Sequence, residues 1–273
     1  MAWLDFGPSD RPYDLLFLHA NGFNALTYRR VLAPLADRYR ILAADQRGHG
    51  ATTLPTATEG RRGWSDFRDD FLVLLGALDI RNAVLAGHSM GGATCLGAAA
   101  RDLGRARSLV LFDPVILSRE SLALAKSGGL PHSTLIDGAR RRRAEFPTRQ
   151  AAFDTFRKRS AFASWPDDML TDYVEQGFRD LPGGGVRLAC EPAWEASTYE
   201  AQDNDPWSDL AAVRAPVEIL KAESGSTCRT DEEEERLTAD GRVRIETARG
   251  TTHFLPMERP ELATEWLARA LER

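Results

Sequence analysis

The sequence predicts an α/β fold: a mostly parallel central sheet flanked by helices and interrupted by an inserted helical cap. Three observations predict it. Short apolar runs alternate with helical patterns through the first part of the chain, and runs without polar alternation suit strands covered on both faces. From about Val115 to Ser208 the alternation stops, and helical patterns follow one another with no clear strand. The alternation then resumes with Val217-Glu218-Ile219-Leu220 and Val243-Arg244-Ile245-Glu246. Strands alternating with helices imply parallel pairing through right-handed crossovers.

Leu15-Leu16-Phe17-Leu18 reads as a buried strand ending at His19, and Tyr28 to Asp37 as a helix. Ile41-Leu42-Ala43-Ala44 is a second strand, closed by the turn chemistry of Asp45-Gln46-Arg47-Gly48-His49-Gly50. Trp64 to Leu78 puts Phe67, Phe71, Leu74, Leu75 and Leu78 on one helical face. Ala83-Val84-Leu85-Ala86 is a third strand, followed by Gly87-His88-Ser89-Met90-Gly91-Gly92 and an Ala-rich helix to about Leu103. Leu109-Val110-Leu111-Phe112 is a fourth, ending at Asp113-Pro114. In the middle segment Ser121–Lys126, Leu135–Arg159 and Asp167–Phe178 read as helices, separated by Gly- and Pro-rich breaks. A closing helix runs from about Pro260 to Leu271. The expected organisation is a core of residues 1–114 and 209–273, with residues 115–208 as the cap.

Composition narrows the function classes. The 273 residues are 43% apolar and 27% charged, which suits a packed globular chain. The net charge of −5 lacks the basic footprint of a nucleic-acid binder, so no nucleic-acid partner is expected. There is no apolar run long enough to span a bilayer, and the first residues lack the pattern of a signal peptide, so no membrane partner is expected. Cys95, Cys190 and Cys228 are too few and scattered for a disulfide framework or a zinc site, which makes a reducing, cytoplasmic setting the expectation.

Gly87-His88-Ser89-Met90-Gly91 fits G-x-S-x-G. The pentapeptide alone is a weak signal. Its place between an apolar strand and an Ala-rich helix is what a nucleophile elbow requires. The turn would strain Ser89, lift its hydroxyl above the sheet and aim the Met90 N–H at a developing oxyanion. A serine hydroxyl needs a base at neutral pH. His88 lies within the elbow, His19 and His49 follow strands, and His132 lies in the cap. His253 is the best placed: its loop, Gly250 to Pro256, joins the last strand to the last helix at the sheet's carboxyl edge, where Ser89 also emerges. Two carboxylates end strands and could complete a triad, Asp113 and Glu223, and either gives the chain order serine, acid, histidine.

With these stretches in view, the core of the chain resembles the α/β-hydrolase superfamily. His19-Ala20-Asn21-Gly22-Phe23 looks like its His-Gly oxyanion loop, with Ala20 in place of the usual Gly. Asp45 to Gly50 looks like its D-x-R-G-x-G turn, and Gly250 to Glu258 with Pro260-Glu261 like its histidine loop. The resemblance implies Ser89 as nucleophile, His253 as base, and the backbone N–H groups of Asn21 and Met90 as oxyanion donors, Phe23 being the weaker second choice to Asn21. Most members carry the acid past the second-last core strand, where this chain reads Glu223-Ser224-Gly225-Ser226 without an Asp. Some esterases of the superfamily take it from the preceding strand, so the resemblance favours Asp113, with Glu223 as the alternative and Asp231 a remote third. It implies a serine hydrolase acting on a small-molecule ester or acyl substrate, with neither cofactor nor metal. Lactonase, thioesterase, acyltransferase and C–C hydrolase chemistry use the same triad, and an idle small-molecule receptor is the non-enzyme alternative. Arg140-Arg141-Arg142-Arg143 reads as a solvated face, or as an attraction for an anionic substrate. Trp165, Trp194 and Trp207 read as core, and Arg47 and Asp45 as residues holding a loop near the site.

Overall fold

The computed structural model describes residues 1–59, 61, 63–126, 134–201 and 203–273. Its strands are β1 (Trp3–Phe6), β2 (Leu15–Leu18), β3 (Ile41–Ala44), β4 (Ala83–His88), β5 (Ala106–Phe112), β6 (Glu145–Phe146), β7 (Phe178–Asp180), β8 (Val186–Leu188), β9 (Val217–Ala222) and β10 (Val243–Ala248). Its α-helices are α1 (Arg29–Leu32), α2 (Ser65–Ala77), α3 (Met90–Arg101), α4 (Arg119–Lys126), α5 (Thr134–Arg140), α6 (Arg149–Arg157), α7 (Asp167–Gly177), α8 (Pro192–Glu200), α9 (Pro206–Ala212), α10 (Glu234–Thr238), α11 (Leu255–Glu258) and α12 (Pro260–Leu271).

Among the described residues, seven strands form the central sheet in the order β1-β3-β2-β4-β5-β9-β10. All its neighbours pair in parallel except β1, which runs antiparallel to β3 with Trp3 opposite Ala44. The apolar runs are buried because successive residues feed opposite cores. Leu15, Phe17, Val84, Ala86, Val110 and Phe112 pack toward α1 and α12. Leu16, Leu18, Leu85, Leu109 and Leu111 pack toward α2, α3 and α9. Each Leu, Val or Phe among them removed from water contributes about 1.5–3 kcal/mol, and both faces must be covered for the run to be stable.

Local chemistry moved several boundaries. The helix expected from Tyr28 to Asp37 is a 3-10 turn at Ala25–Tyr28, one α-turn, and a second 3-10 turn at Ala33–Leu35. Pro34 has no N–H to give and crowds the preceding turn, so a regular ladder cannot run through it. Strand β1 was not expected. It is a half-exposed edge strand, and its Trp-Leu-Asp-Phe carries no buried run to announce it.

Between β5 and β9 the chain forms helices together with a second, three-stranded antiparallel sheet in the order β6-β8-β7. No strand was expected there, and the stretch Leu135–Arg159 was expected to be one helix. Instead α5 ends at Arg140, β6 pairs Phe146 with Val186, and Thr148 caps α6 by accepting from the Ala151 N–H at 3.1 Å. Strands this short show no usable period. The Leu-Pro-Gly-Gly-Gly stretch is the hairpin turn between β7 and β8: the Leu181 N–H bonds the Gly185 carbonyl at 3.0 Å, and Gly184 and Gly185 take positive φ.

Candidate active site

Strand β4 delivers the chain into the elbow, and Ser89 sits at φ 56°, ψ −118°, a left-handed conformation that a serine adopts only under constraint. Two glycines make the turn sterically possible. A Cβ on Gly91 would lie 2.2 Å from the Leu18 carbonyl oxygen of the neighbouring strand, and one on Gly87 would lie 2.5 Å from the Gly91 carbonyl carbon. The Ser89 N–H bonds the Phe112 carbonyl at 2.9 Å, which ties the elbow to the end of β5. Met90 opens α3, so its N–H has no partner within the helix.

The adjacent strand end carries Asp113, also left-handed at φ 39° and fully buried. Its Oδ1 accepts from the Ala222 N–H at 2.8 Å and the Ser226 hydroxyl at 2.6 Å, and its Oδ2 from the Thr227 N–H at 3.0 Å. The Asp113 Oδ2 also accepts the His253 Nδ1–H at 2.6 Å, and the Ser89 hydroxyl donates to His253 Nε2 at 3.0 Å. Serine, histidine and aspartate, far apart in the chain, thus meet in one hydrogen-bonded line. Burial alone would raise the Asp113 carboxyl, but the hydrogen bonds from His253, Ser226 and Ala222 and the charge of His253 hold it below its ordinary value.

Glu223 lies elsewhere. Its carboxylate accepts the Gly250 N–H at 2.9 Å and bridges Arg249 at 3.3 Å on the surface, with no hydrogen bond to His253. Asp231 binds the Lys221 ammonium at 2.5 Å. His132 lies outside the described residues. His19 and His49 are buried beside the Ala20–Phe23 loop: His19 Nε2 accepts the Gln46 N–H at 2.9 Å, and His49 Nε2 accepts the Gly22 N–H at 2.9 Å. Burial lowers His19 to about 4, and His49 well below its ordinary value, so both are neutral braces at neutral pH.

His88 is the residue whose part no sequence pattern announced. The Tyr28 hydroxyl accepts the Ala20 N–H at 3.2 Å and donates to His88 Nδ1 at 2.7 Å. His88 Nε2–H then donates to the His253 backbone carbonyl at 2.7 Å. One chain of hydrogen bonds therefore ties the Ala20 loop, the Ser89 turn and the His253 loop together. Burial and the neighbouring His253 push His88 down to about 3, which keeps it neutral and fixes its donor and acceptor sides.

A cavity of about 730 Å³ opens above Ser89. Ala20, Asn21, Phe23, Met90, His253 and Phe254 border it, so the loop and helix start expected to supply oxyanion donors face the same space as the serine. Elements between β5 and β9 hold the Asn21 loop from above. The Glu195 carbonyl accepts from the Asn21 side-chain amide at 3.3 Å, and the Tyr173 hydroxyl donates to the Gly22 carbonyl at 3.2 Å. Trp165, Trp194 and Trp207 are buried and none of them borders the cavity. The arginine run divides. Arg140 pairs with Glu200 and Arg143 stacks on Phe146, but Arg142 turns inward to pair with Glu195 and donate to the Tyr173 hydroxyl at 2.8 Å. Arg47 clamps Asp70 through two hydrogen bonds of 2.8 and 2.6 Å, and Asp45 accepts the Ala25 and Ala51 N–H groups at 2.8 Å each, so both hold the loop beside the site.

The three cysteines are free and buried. Among the described residues no cluster of His, Cys, Asp and Glu is arranged to hold a metal ion, and no helix is long and apolar enough to cross a membrane.

Known proteins show the same architecture. The 2-(acetamidomethylene)succinate hydrolase of Mesorhizobium japonicum is 29% identical over 213 residues, 77% of this chain and 70% of that protein. A crystal structure of E-2-(acetamidomethylene)succinate hydrolase superposes with a TM-score of 0.78 at 23% identity, covering 99% of this chain and 94% of that one. The 3-oxoadipate enol-lactonase 2 of Acinetobacter baylyi is 36% identical over 94 residues, 34% of each protein. Residues 15–265 match the alpha/beta hydrolase family. With that match covering nearly the whole sheet and the segment inserted in it, the chain belongs to the alpha/beta hydrolase family.

Proposed function

We propose that this hydrolase cleaves a carboxylic ester, or a related acyl bond, of a small molecule through Ser89, His253 and Asp113. The observation that carries the reading is the unbroken line from the Ser89 hydroxyl to His253 Nε2 at 3.0 Å and from His253 Nδ1–H to Asp113 at 2.6 Å. His253 takes the Ser89 proton as Oγ attacks the acyl carbon. Asp113 holds the imidazole in the tautomer that leaves Nε2 free, and stabilises the imidazolium that forms. The N–H groups of Asn21 and Met90 receive the oxyanion, at about 3–4 kcal/mol per donor. His253 then protonates the leaving group, and water activated by the same imidazole releases the acyl group from Ser89. Residues 115–208 serve as the cap that closes the cavity over this chemistry.

A lactone substrate is the second reading, favoured by the similarity to the Acinetobacter enol-lactonase. A panel of 4-nitrophenyl esters and lactones, run on the wild type and Ser89→Ala, separates the two. Fluorophosphonate labelling tests the nucleophile directly. Labelling of wild type but not of Ser89→Ala, with turnover lost in the variant, is the expected result. Undiminished turnover in Ser89→Ala rejects the mechanism, and ligand binding without labelling or turnover supports an idle receptor.

A further inference from the structure

The cavity wall is mostly apolar, with Phe23, Trp64, Val115, Phe162 and Phe254 among its residues. Its charged side chains other than His253 are Arg142, Glu195, Arg159 and Arg229. The first two neutralise each other: Arg142 pairs with Glu195 and both are largely buried. The other two are exposed, which places them at the mouth. Among the described residues neither makes an ion pair or a side-chain hydrogen bond. The Arg159 guanidinium lies over the Phe156 ring, 5.4 Å from its centroid. Asp231, two residues from Arg229, is occupied by the Lys221 ammonium at 2.5 Å. Arg159 follows α6, whereas Arg229 follows β9, on the same loop as the Ser226 and Thr227 that hold Asp113. Two cations from separate parts of the chain therefore border one opening, Arg159 with no carboxylate paired to it among the described residues and Arg229 in the field of Asp231, whose carboxylate Lys221 holds. The charged side chains that border the cavity sum to positive in a chain whose net charge is −5.

We infer that the substrate of this site carries a carboxylate remote from its scissile acyl bond, held by Arg159 and Arg229 while its apolar body fills the cavity. The inference rests on the serine-hydrolase reading above and adds the substrate class. A guanidinium suits a carboxylate through paired, charge-assisted hydrogen bonds.

Two matched pairs of esters test it, with rates taken above the Ser89→Ala background. Mono-(4-nitrophenyl) adipate against 4-nitrophenyl hexanoate puts the charge on the acyl side. 4-Carboxyphenyl butyrate against phenyl butyrate puts it on the alcohol side. The charged member of at least one pair is expected to have kcat/KM at least about tenfold the higher, since a hydrogen bond to a charged group changes affinity by about 10- to 100-fold. That advantage is expected to shrink with added salt. It falls about tenfold in Arg159→Gln or Arg229→Gln and persists in Arg141→Gln, an exposed arginine that does not border the cavity. Should those variants fail to fold, adipate is expected to protect wild-type Ser89 from fluorophosphonate where adipamide does not. Equal kcat/KM within both pairs, or equal protection, overturns the inference while Ser89-dependent turnover of the neutral esters leaves the site reading intact. Absence of Ser89-dependent labelling and turnover overturns both.

Discussion

Replacing Asp113 with asparagine isolates what the carboxylate contributes, because the shape is kept and only the charge and one acceptor are lost. The groups facing the Asp113 carboxylate oxygens donate to it: the Ala222 N–H and Ser226 hydroxyl on Oδ1, the Thr227 N–H, the Thr227 hydroxyl at 3.4 Å and His253 Nδ1–H on Oδ2. The amide NH2 must therefore meet donors whichever way it turns. Placed toward His253, it forces the imidazole to accept at Nδ1 and carry its proton on Nε2, where it can no longer take the Ser89 proton. It also leaves the Thr227 N–H unpaired. Placed toward Ala222, it strands that N–H, and the oxygen left facing His253 has no charge to stabilise imidazolium. The first arrangement predicts a fall in kcat of about 10^4, the size seen when a triad acid is made an amide elsewhere. Either arrangement costs about 1–3 kcal/mol of stability for one buried donor left without an acceptor. The assay is kcat and KM on the best ester of the panel, with urea unfolding of the same preparations. Glu223→Gln is the companion variant, and it is expected to change kcat little, since its partners are the Gly250 N–H and Arg249. A loss of less than about tenfold in Asp113→Asn, with a large loss in Glu223→Gln, would refute the assignment of the acid.

Three further outcomes are expected. Tyr28→Phe removes the hydroxyl that links the Ala20 N–H to His88; two buried groups lose partners, so stability drops by about 2–6 kcal/mol, and kcat falls with KM nearly unchanged because the lost link lies behind the cavity. Unaltered kcat shows that the Tyr28–His88 chain does not position the base. Gly91→Ala places a Cβ 2.2 Å from the Leu18 carbonyl of the central sheet, so the variant is expected to yield no soluble, cooperatively unfolding protein; normal expression with a sharp melt contradicts the close approach. Burial raises the Asp45 carboxyl to about 6 against the N–H bonds from Ala25 and Ala51. Its folded value lies above its unfolded one, so its contribution to stability is full below about pH 4 and declines as pH rises through about 6, by on the order of 3 kcal/mol. Urea unfolding across that window is expected to give a flatter stability curve for Asp45→Asn than for wild type, and parallel curves rule the effect out.

Six of the seven central strands and the turn at Ser89 are legible in residue order. Leu15–Leu18, Ile41–Ala44 and Ala83–His88 are apolar without alternation, and only a strand covered on both faces satisfies such a run, so these elements were readable from order alone. Ser89 was readable for a similar local reason: strand, small residues and helix adjoin it in the chain, and the turn's steric needs are met by Gly87 and Gly91 within two positions. Which of Asp113 and Glu223 hydrogen-bonds His253 is visible in the folded chain alone, because both end strands and the difference lies in which carboxylate faces the imidazole across more than a hundred residues of chain. The Tyr28–His88 link, the inward turn of Arg142 within a run of four arginines, and the meeting of Arg159 with Arg229 were hidden for the same reason. The small β6-β8-β7 sheet and edge strand β1 escaped because two to four residues are too few to show a period, and their pairing is set by partners distant in sequence. Backbone periodicity is a property of neighbours along the chain, whereas side-chain convergence depends on the crossovers that bring separate strand ends to one rim, and that geometry exists only once the sheet has closed.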